Sequence, residues 1–333
     1  MPSSDYDVVG IGNAIVDVLA KADEHFLVQH NLAKGAMTLI DAPTAGRLYQ
    51  AMAPAIECSG GSTANTMAGL ASLGGRGAFI GKVCADQLGS VFNHDIKAAG
   101  VAFSTPPSKG GPPTARCLIF VTPDGQRTMQ TYLGACVELK PDDVRLEQIQ
   151  GARITYLEGY LWDPPEAKEA FRKAVKIAHA AGRRVALSLS DPFCVGRHRA
   201  EFLELVENDV DILFANEAEI TSLYQTTSFD DAMAQVRRKK DRIAALTRSE
   251  KGAVIVSGDQ VHQVPAEKVA QLIDTTGAGD LFAAGVLYGL THGHNLPSAG
   301  RIGVICAAEI ISHFGARPEV SLKDLVRTKM QHH

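Results

Sequence analysis

From about residue 150 onward the chain alternates short apolar runs with stretches of helical periodicity, and that rhythm limits the fold more than any other feature. Ile154–Glu158, Arg184–Ser190, Ile212–Ala215, Ile243–Thr247 and Ala253–Ser257 read as strands. Between and after them, Pro165–Ala181, Arg199–Asn208, Ala218–Tyr224, Asp230–Lys239, Asp280–Thr291, Leu296–His313 and Leu322–Arg327 read as helices. Strands separated by helices pair in parallel, because the chain returns to the sheet only by a crossover. The expected core is an α/β, doubly wound, mainly parallel sheet flanked by helices. Tyr6–Ile11 and Ala78–Val83 add buried strands, and Ala64–Leu73 adds a helix whose small residues suit close packing.

Two stretches do not fit that layer. Ile15–Ala22 alternates like a half-exposed strand, and Met37–Ile40 is another short one. Ala115–Thr122 and Arg127–Leu133 are joined by Pro123-Asp124-Gly125-Gln126, which has the chemistry of a hairpin turn. Between the two stretches, Ser104–Pro113 holds too much proline and glycine for a helix or a central strand. These pieces predict a small β-sheet from about 14–45 and 104–135, inserted twice into a single domain spanning 1–333 and acting as a lid. Its open edges are ones a homodimer would bury.

Composition narrows the partners. The net charge is −4, and the longest basic block is Arg237-Arg238-Lys239-Lys240, expected on a solvated helix face. No nucleic-acid partner is expected. No apolar run approaches the roughly 20 residues of a membrane span. The six cysteines are scattered without a C-x-x-C pair, so free thiols in a reducing, cytoplasmic setting are expected. Met1-Pro2-Ser3-Ser4-Asp5 has no basic head or apolar stretch of a secretory signal, and Gln331-His332-His333 is too short for a metal site.

The chemistry concentrates near the C-terminus, at Asp274-Thr275-Thr276-Gly277-Ala278-Gly279-Asp280. Two glycines and an alanine sit where a helix begins, and an acid follows. Glycine lowers helix propensity by roughly 1 kcal/mol relative to alanine, so a helix start that carries it twice needs bare backbone there. Free N–H groups at a positive helix end suit a phosphoryl group, and the acid suits a proton leaving an attacking hydroxyl. That combination predicts a kinase for small molecules.

Other segments carry weaker signals. Gly10-Ile11-Gly12-Asn13-Ala14-Ile15 lacks the third glycine of a dinucleotide fingerprint and leads into a strand, and no P-loop run occurs. Asn13 and Asp17 follow the first strand, where ligands gather in open α/β sheets, and one aspartate can accept from both hydroxyls of a vicinal diol. Cys58–Asn65 reads as a glycine turn entering a capped helix, with Gly61, Ser62 and Asn65 within reach of a ligand. Asn216 and Glu219 lie three apart at a helix start, suited to holding Mg²⁺ through water or simply to a helix dipole. Thr247–Ala253 reads as a hairpin turn or the edge of a nucleotide site.

Taken in this order, the segments resemble the ribokinase (PfkB-type) superfamily of sugar and nucleoside kinases over nearly the whole chain. Gly12–Asp17, Gly60–Asn65 and Arg127 resemble the adenosine kinases within it most. The resemblance implies ATP-dependent phosphorylation of a nucleoside 5′-hydroxyl, with adenosine as acceptor. A sugar kinase, an inosine or guanosine kinase, and a non-catalytic nucleotide-binding protein are the alternatives. It makes Asp280 the general base and the N–H groups of Gly277, Ala278 and Gly279 an anion hole. Asp17 would hold the ribose hydroxyls, helped by Asn13, Gly61, Ser62 and Asn65. Asn216 and Glu219 would organise Mg²⁺, and Thr247, Ser249 and Gly252 would border ATP. Asp274, Thr276 and Gly315 would bind a monovalent cation, usually K⁺, and Arg127 would reach the γ-phosphate from the lid. Tyr160 and Phe193 would stack on the base, with Cys117 and Leu133 closing over it. Tyr160, Trp162 and Asp191 make that pocket more polar than an adenine slot needs.

Overall fold

The computed structural model describes residues 5–331; the expectations placed on residues 1–4 and 332–333 lie outside them. In chain order the strands are β1 (Tyr6–Ile11), β2 (Ile15–Lys21), β3 (Met37–Leu39), β4 (Ile56–Gly60), β5 (Gly77–Ile80), β6 (Ala102–Phe103) and β7 (Ala115–Val121). There follow β8 (Arg127–Tyr132), β9 (Ala152–Glu158), β10 (Arg184–Ser188), β11 (Ile212–Asn216), β12 (Ile243–Thr247), β13 (Ala253–Ser257) and β14 (Gln260–Val264). Nine of them form one sheet in the order β14-β13-β12-β11-β10-β9-β1-β5-β6. The pairs from β12 through β6 are parallel, and β13 and β14 close the far edge antiparallel. The mainly parallel, doubly wound α/β core read from the sequence is therefore present.

Apolar alternation along these strands divides the core into two layers. Val9, Leu157 and Leu213 face one layer of helices, where Trp162 packs 5.8 Å from Phe171 and 5.6 Å from Phe202. Val8, Tyr156 and Phe214 face the other, with Phe282 and Val286. Each fully buried side chain of this size contributes about 1.5–3 kcal/mol relative to exposure. The helix Ala278–Thr291 is buried nearly all round, at Leu281, Phe282, Ala283, Ala284, Val286 and Leu287. An interior helix of this kind is held on several sides from Leu281 onward, which anchors its half-exposed first turn at the sheet rim.

A second sheet runs β3-β8-β7-β2-β4. Asp17 on β2 pairs in register with Cys58 on β4 and Cys117 on β7. The sequence reading missed β4: Cys58, Ser59 and Gly60 are strand, and the turn begins only at Gly61. It also missed the short helix Leu146–Gln150, which has no side-chain cap, and four more: Glu24–Gln29, Ala42–Ala51, Gln87–Ala98 and Pro192–Arg197. Each of these four starts at an aspartate (Asp23, Asp41, Asp86, Asp191) that accepts from the N–H three residues on. That N-cap pattern was in the sequence. The helix expected over Asp230–Lys239 is Phe229–Val236, so the basic run lies past its end, with Arg237 and Lys240 near Asp259 at 3.8 and 3.5 Å. Among the described residues all six cysteines are free, and no helix is long and apolar enough to cross a membrane.

Candidate active site

The carboxyl ends of the parallel strands converge on one rim. There β1 delivers Asn13, β9 ends at Glu158, β11 at Asn216 and β12 at Thr247. The helices Ser62–Ser72 and Ala278–Thr291 point their N-termini at the same rim. Gly277 caps the second of these at φ +80°, a left-handed conformation that glycine adopts without a Cβ penalty.

Asp280, one turn into that helix, is held from across the chain. Ser62 Oγ donates to its Oδ1 at 2.6 Å and Asn65 Nδ2 to its Oδ2 at 3.0 Å. Burial raises the Asp280 pKa, while the Ser62 and Asn65 bonds and the Arg317 charge act against the rise. The N–H of Ala278 donates to Thr275 O at 3.2 Å, so the anion hole expected at Gly277, Ala278 and Gly279 is narrower than the sequence suggests. Among the described residues no such bond engages the N–H of Gly277 or Gly279. A Cβ at Gly279 would meet open space.

Beside Asp280 lies a cluster of acceptors. The Asp17 carboxylate makes no hydrogen bond among the described residues, and burial pushes its pKa up to about 6 against the pull of Arg317 and Arg127. Asn13 and Asn65 are buried, and the Oδ1 of each has no hydrogen-bond partner among the described residues. Arg317 braces the floor, donating to Ala64 O at 2.8 Å and to Ser59 O and Oγ at 2.7 Å. Gly61, at φ +96°, caps the helix that carries Ser62 and Asn65.

The remaining expected residues separate into three groups. Asn216 and Glu219 form a reciprocal capping box: Asn216 Oδ1 accepts from Glu219 N at 2.8 Å, and Glu219 accepts from Asn216 N at 2.9 Å and Nδ2 at 2.7 Å. Burial pushes the Glu219 pKa up to about 7. Both its oxygens are engaged, so it suits a hydrated cation better than direct ligation. Thr247, Ser249 and Gly252 lie in the β12–β13 hairpin, whose Arg248 donates to Glu217 at 3.0 Å and stacks 4.0 Å over Phe229. Leu133 lines a groove of about 360 Å³ with Leu39, Ile40, Pro112 and Val137, and Cys117 Sγ accepts from Thr131 Oγ1 at 3.3 Å. Tyr160 and Phe193 are exposed, and Asp191 is spent on capping Cys194 N at 2.6 Å.

Asp274, Thr276 and Gly315 do meet. Asp274 Oδ1 accepts from Thr276 N at 3.0 Å and Oγ1 at 2.8 Å, and Oδ2 from Gly315 N at 3.4 Å. Arg127 of the small sheet lies 2.7 Å from the same Oδ2, its guanidinium 5.3 Å from the Phe314 ring. The guanidinium supplies the positive charge there, so these residues do not fit a monovalent cation while Arg127 is in place.

A model of the pfkB family of carbohydrate kinases matches residues 57–322. The chain belongs to that family. It is 53% identical to the adenosine kinase of Sinorhizobium meliloti, whose crystal structure superposes with a TM-score of 0.89 over 98% of this chain and 100% of that one. It is 50% identical to a probable sugar kinase protein from Rhizobium etli CFN 42, with a TM-score of 0.90 over 98% and 99%. The probable chloroplastic fructokinase-6 of Arabidopsis thaliana is 29% identical over 311 residues, 88% of this chain and 80% of that protein. Ribokinase-like architecture and kinase activity thus agree with the expectation from sequence.

In this pfkB kinase, sequence reasoning missed Glu158 and Arg317 as parts of the rim. Glu158 is 1% exposed, and burial pushes its pKa up to about 7. A carboxylate closing an apolar run was its signal. Arg317 had no local signal, since its partners lie more than 250 positions away.

Proposed function

We infer that the chain transfers the γ-phosphoryl group of ATP to the 5′-hydroxyl of adenosine. The observation that carries this is the set of unpaired acceptors beside Asp280: the Asp17 carboxylate, Asn13 Oδ1 and Asn65 Oδ1. Buried acceptors without donors are costly, and a ribose with adjacent hydroxyls supplies the donors. The 53% identity to an adenosine kinase over 98% of the chain supports the same acceptor.

The chain's own residues then divide the work. Asp17 and the two asparagine oxygens orient the ribose. Asp280 accepts the 5′-hydroxyl proton as the oxygen attacks in line, a contribution of about 10²–10⁴-fold. The N–H groups of Gly277 and Gly279, at the positive end of a buried helix, hold the transferring group. Apart from its ion pair with Asp274, no guanidinium nitrogen of Arg127 makes a hydrogen bond among the described residues, so closure of the small sheet as a lid brings a ready donor to the phosphates. Glu219 would hold a hydrated Mg²⁺ through water, and the ion when bound would neutralise charge on the nucleotide. A monovalent cation at Asp274 requires Arg127 to leave first. The edge strands β3 and β4 expose Met37, Leu39 and Ile56, the surface a homodimer would cover.

A sugar acceptor is the second reading. The 50% identity to a probable sugar kinase and the exposure of Phe193, which encloses no base slot, favour it. The test measures ADP release with Mg-ATP, with and without K⁺, across adenosine, inosine, guanosine, ribose and fructose. Turnover with adenosine alone supports the proposal. Turnover with a free sugar and none with adenosine refutes it.

A further inference from the structure

Glu158 makes no hydrogen bond among the described residues to the proposed base Asp280 or the proposed anion hole, yet it joins the two segments that build the acceptor rim. Its Oε1 accepts from Asn13 Nδ2 at 2.9 Å and from Asn13 N at 3.4 Å. Its Oε2 accepts from Thr63 N at 2.8 Å, in the first turn of the helix that carries Ser62 and Asn65. The carboxylate also explains Gly12: a Cβ there would collide with Glu158 Oε2 and with the Thr63 side chain.

An ionised carboxylate can only accept. The Asn13 carboxamide must therefore present its NH₂ to Glu158, which sends Oδ1 the other way, where it is buried and has no partner. Had a donor stood at position 158, the amide would sit the other way round and offer the rim a second N–H. We propose that Glu158 is a positioning residue that fixes the polarity of Asn13, so that Asn13 Oδ1 receives a hydroxyl proton of the acceptor. Glu158 acts through Asn13 and selects for acceptors that donate at that point, which hydroxyls do and ether or deoxy positions do not. The acceptor side of this inference rests on the proposed function.

The test is Glu158→Gln, which keeps size and packing while replacing one acceptor oxygen by a donor. Assays run at pH 8.5 with the acceptor that the wild-type protein phosphorylates. The acceptor KM is expected to rise tenfold or more, with kcat within about threefold and the ATP KM unchanged. Adding Asn13→Asp to Glu158→Gln restores the pairing with donor and acceptor exchanged, and is expected to recover most of the lost KM. An unchanged KM in Glu158→Gln, or a double variant no better than the single, overturns the proposal. If Glu158→Gln does not fold, Asn13→Asp alone faces two acceptors against each other and must show the same KM rise; wild-type KM there is equally fatal. If the wild-type protein phosphorylates no acceptor, the proposed function fails, and the inference is read instead by NMR of ¹⁵N-asparagine-labelled protein. The Asn13 carboxamide protons should exchange slowly in wild type and rapidly in Glu158→Gln, and equal protection in both sinks the idea.

Discussion

Ser62 Oγ donates to Asp280 Oδ1 at 2.6 Å, joining residues 218 positions apart in the chain. The serine, expected from sequence to grip the acceptor, is bonded here to Asp280, the proposed general base. This bond favours the ionised form of Asp280 and offsets part of the cost of burial. Ser62→Ala removes a lowering influence, so the Asp280 pKa rises and the base stays protonated to higher pH. The acidic limb of the kcat profile is expected to move to higher pH, with kcat at alkaline pH close to wild type. A limb that stays put would show that Ser62 does not tune the base.

Asp280→Asn should cost at least two decades of kcat, the lower end of what a positioned base supplies. Asparagine can still take the Ser62 and Asn65 contacts after an amide rotation, so the thermal transition should survive. Near wild-type turnover in a folded variant removes Asp280 from the mechanism.

Asp17 trades stability for binding. Its pKa is raised from 3.8 to about 6, chiefly by burial. The folded state therefore binds this proton more tightly than the unfolded chain. The stability it contributes is fully present below about pH 4 and is lost as pH rises through about 6. Asp17→Asn mimics the protonated form and should escape that loss. Its Tm advantage over wild type is expected to be small at pH 4.5 and larger at pH 8, while its acceptor KM rises. A Tm difference that shrinks with rising pH contradicts this account.

Arg127→Ala leaves Asp274 as a partly buried carboxylate without its cation. Breaking one side of such a pair typically costs 3–5 kcal/mol, and Thr276 and Gly315 still donate, so a loss of about 3 kcal/mol is expected in urea denaturation. Asp274→Asn in the same background should recover part of it, because the stranded charge is then gone. A loss under about 1 kcal/mol for Arg127→Ala would mean that the pair is dispensable in the resting state.

Local chemistry made much of this protein legible in its sequence. Strand and helix periodicity in residues 150–330 specified a parallel sheet, because burial on both faces demands continuous apolar runs and crossovers demand helices. Gly277 and Gly279 before Asp280 marked a bare helix start suited to an anion, because a helix start without such a need would not carry two glycines. Even four of the missed helices were written in their aspartate caps. What the sequence could not show is which side chain spends its hydrogen bonds on which partner. Ser62 on Asp280, Glu158 on Asn13 and Thr63, Arg127 on Asp274 and Arg317 on Ser59 all join segments far apart in the chain. Periodicity and capping reach a few residues, whereas these pairings depend on how two sheets and an interior helix pack. Composition and spacing thus determined the fold class and the place of the chemistry. Only the tertiary structure decided which acceptors remain unpaired for a substrate, because a donor spent on a neighbour is lost to a ligand.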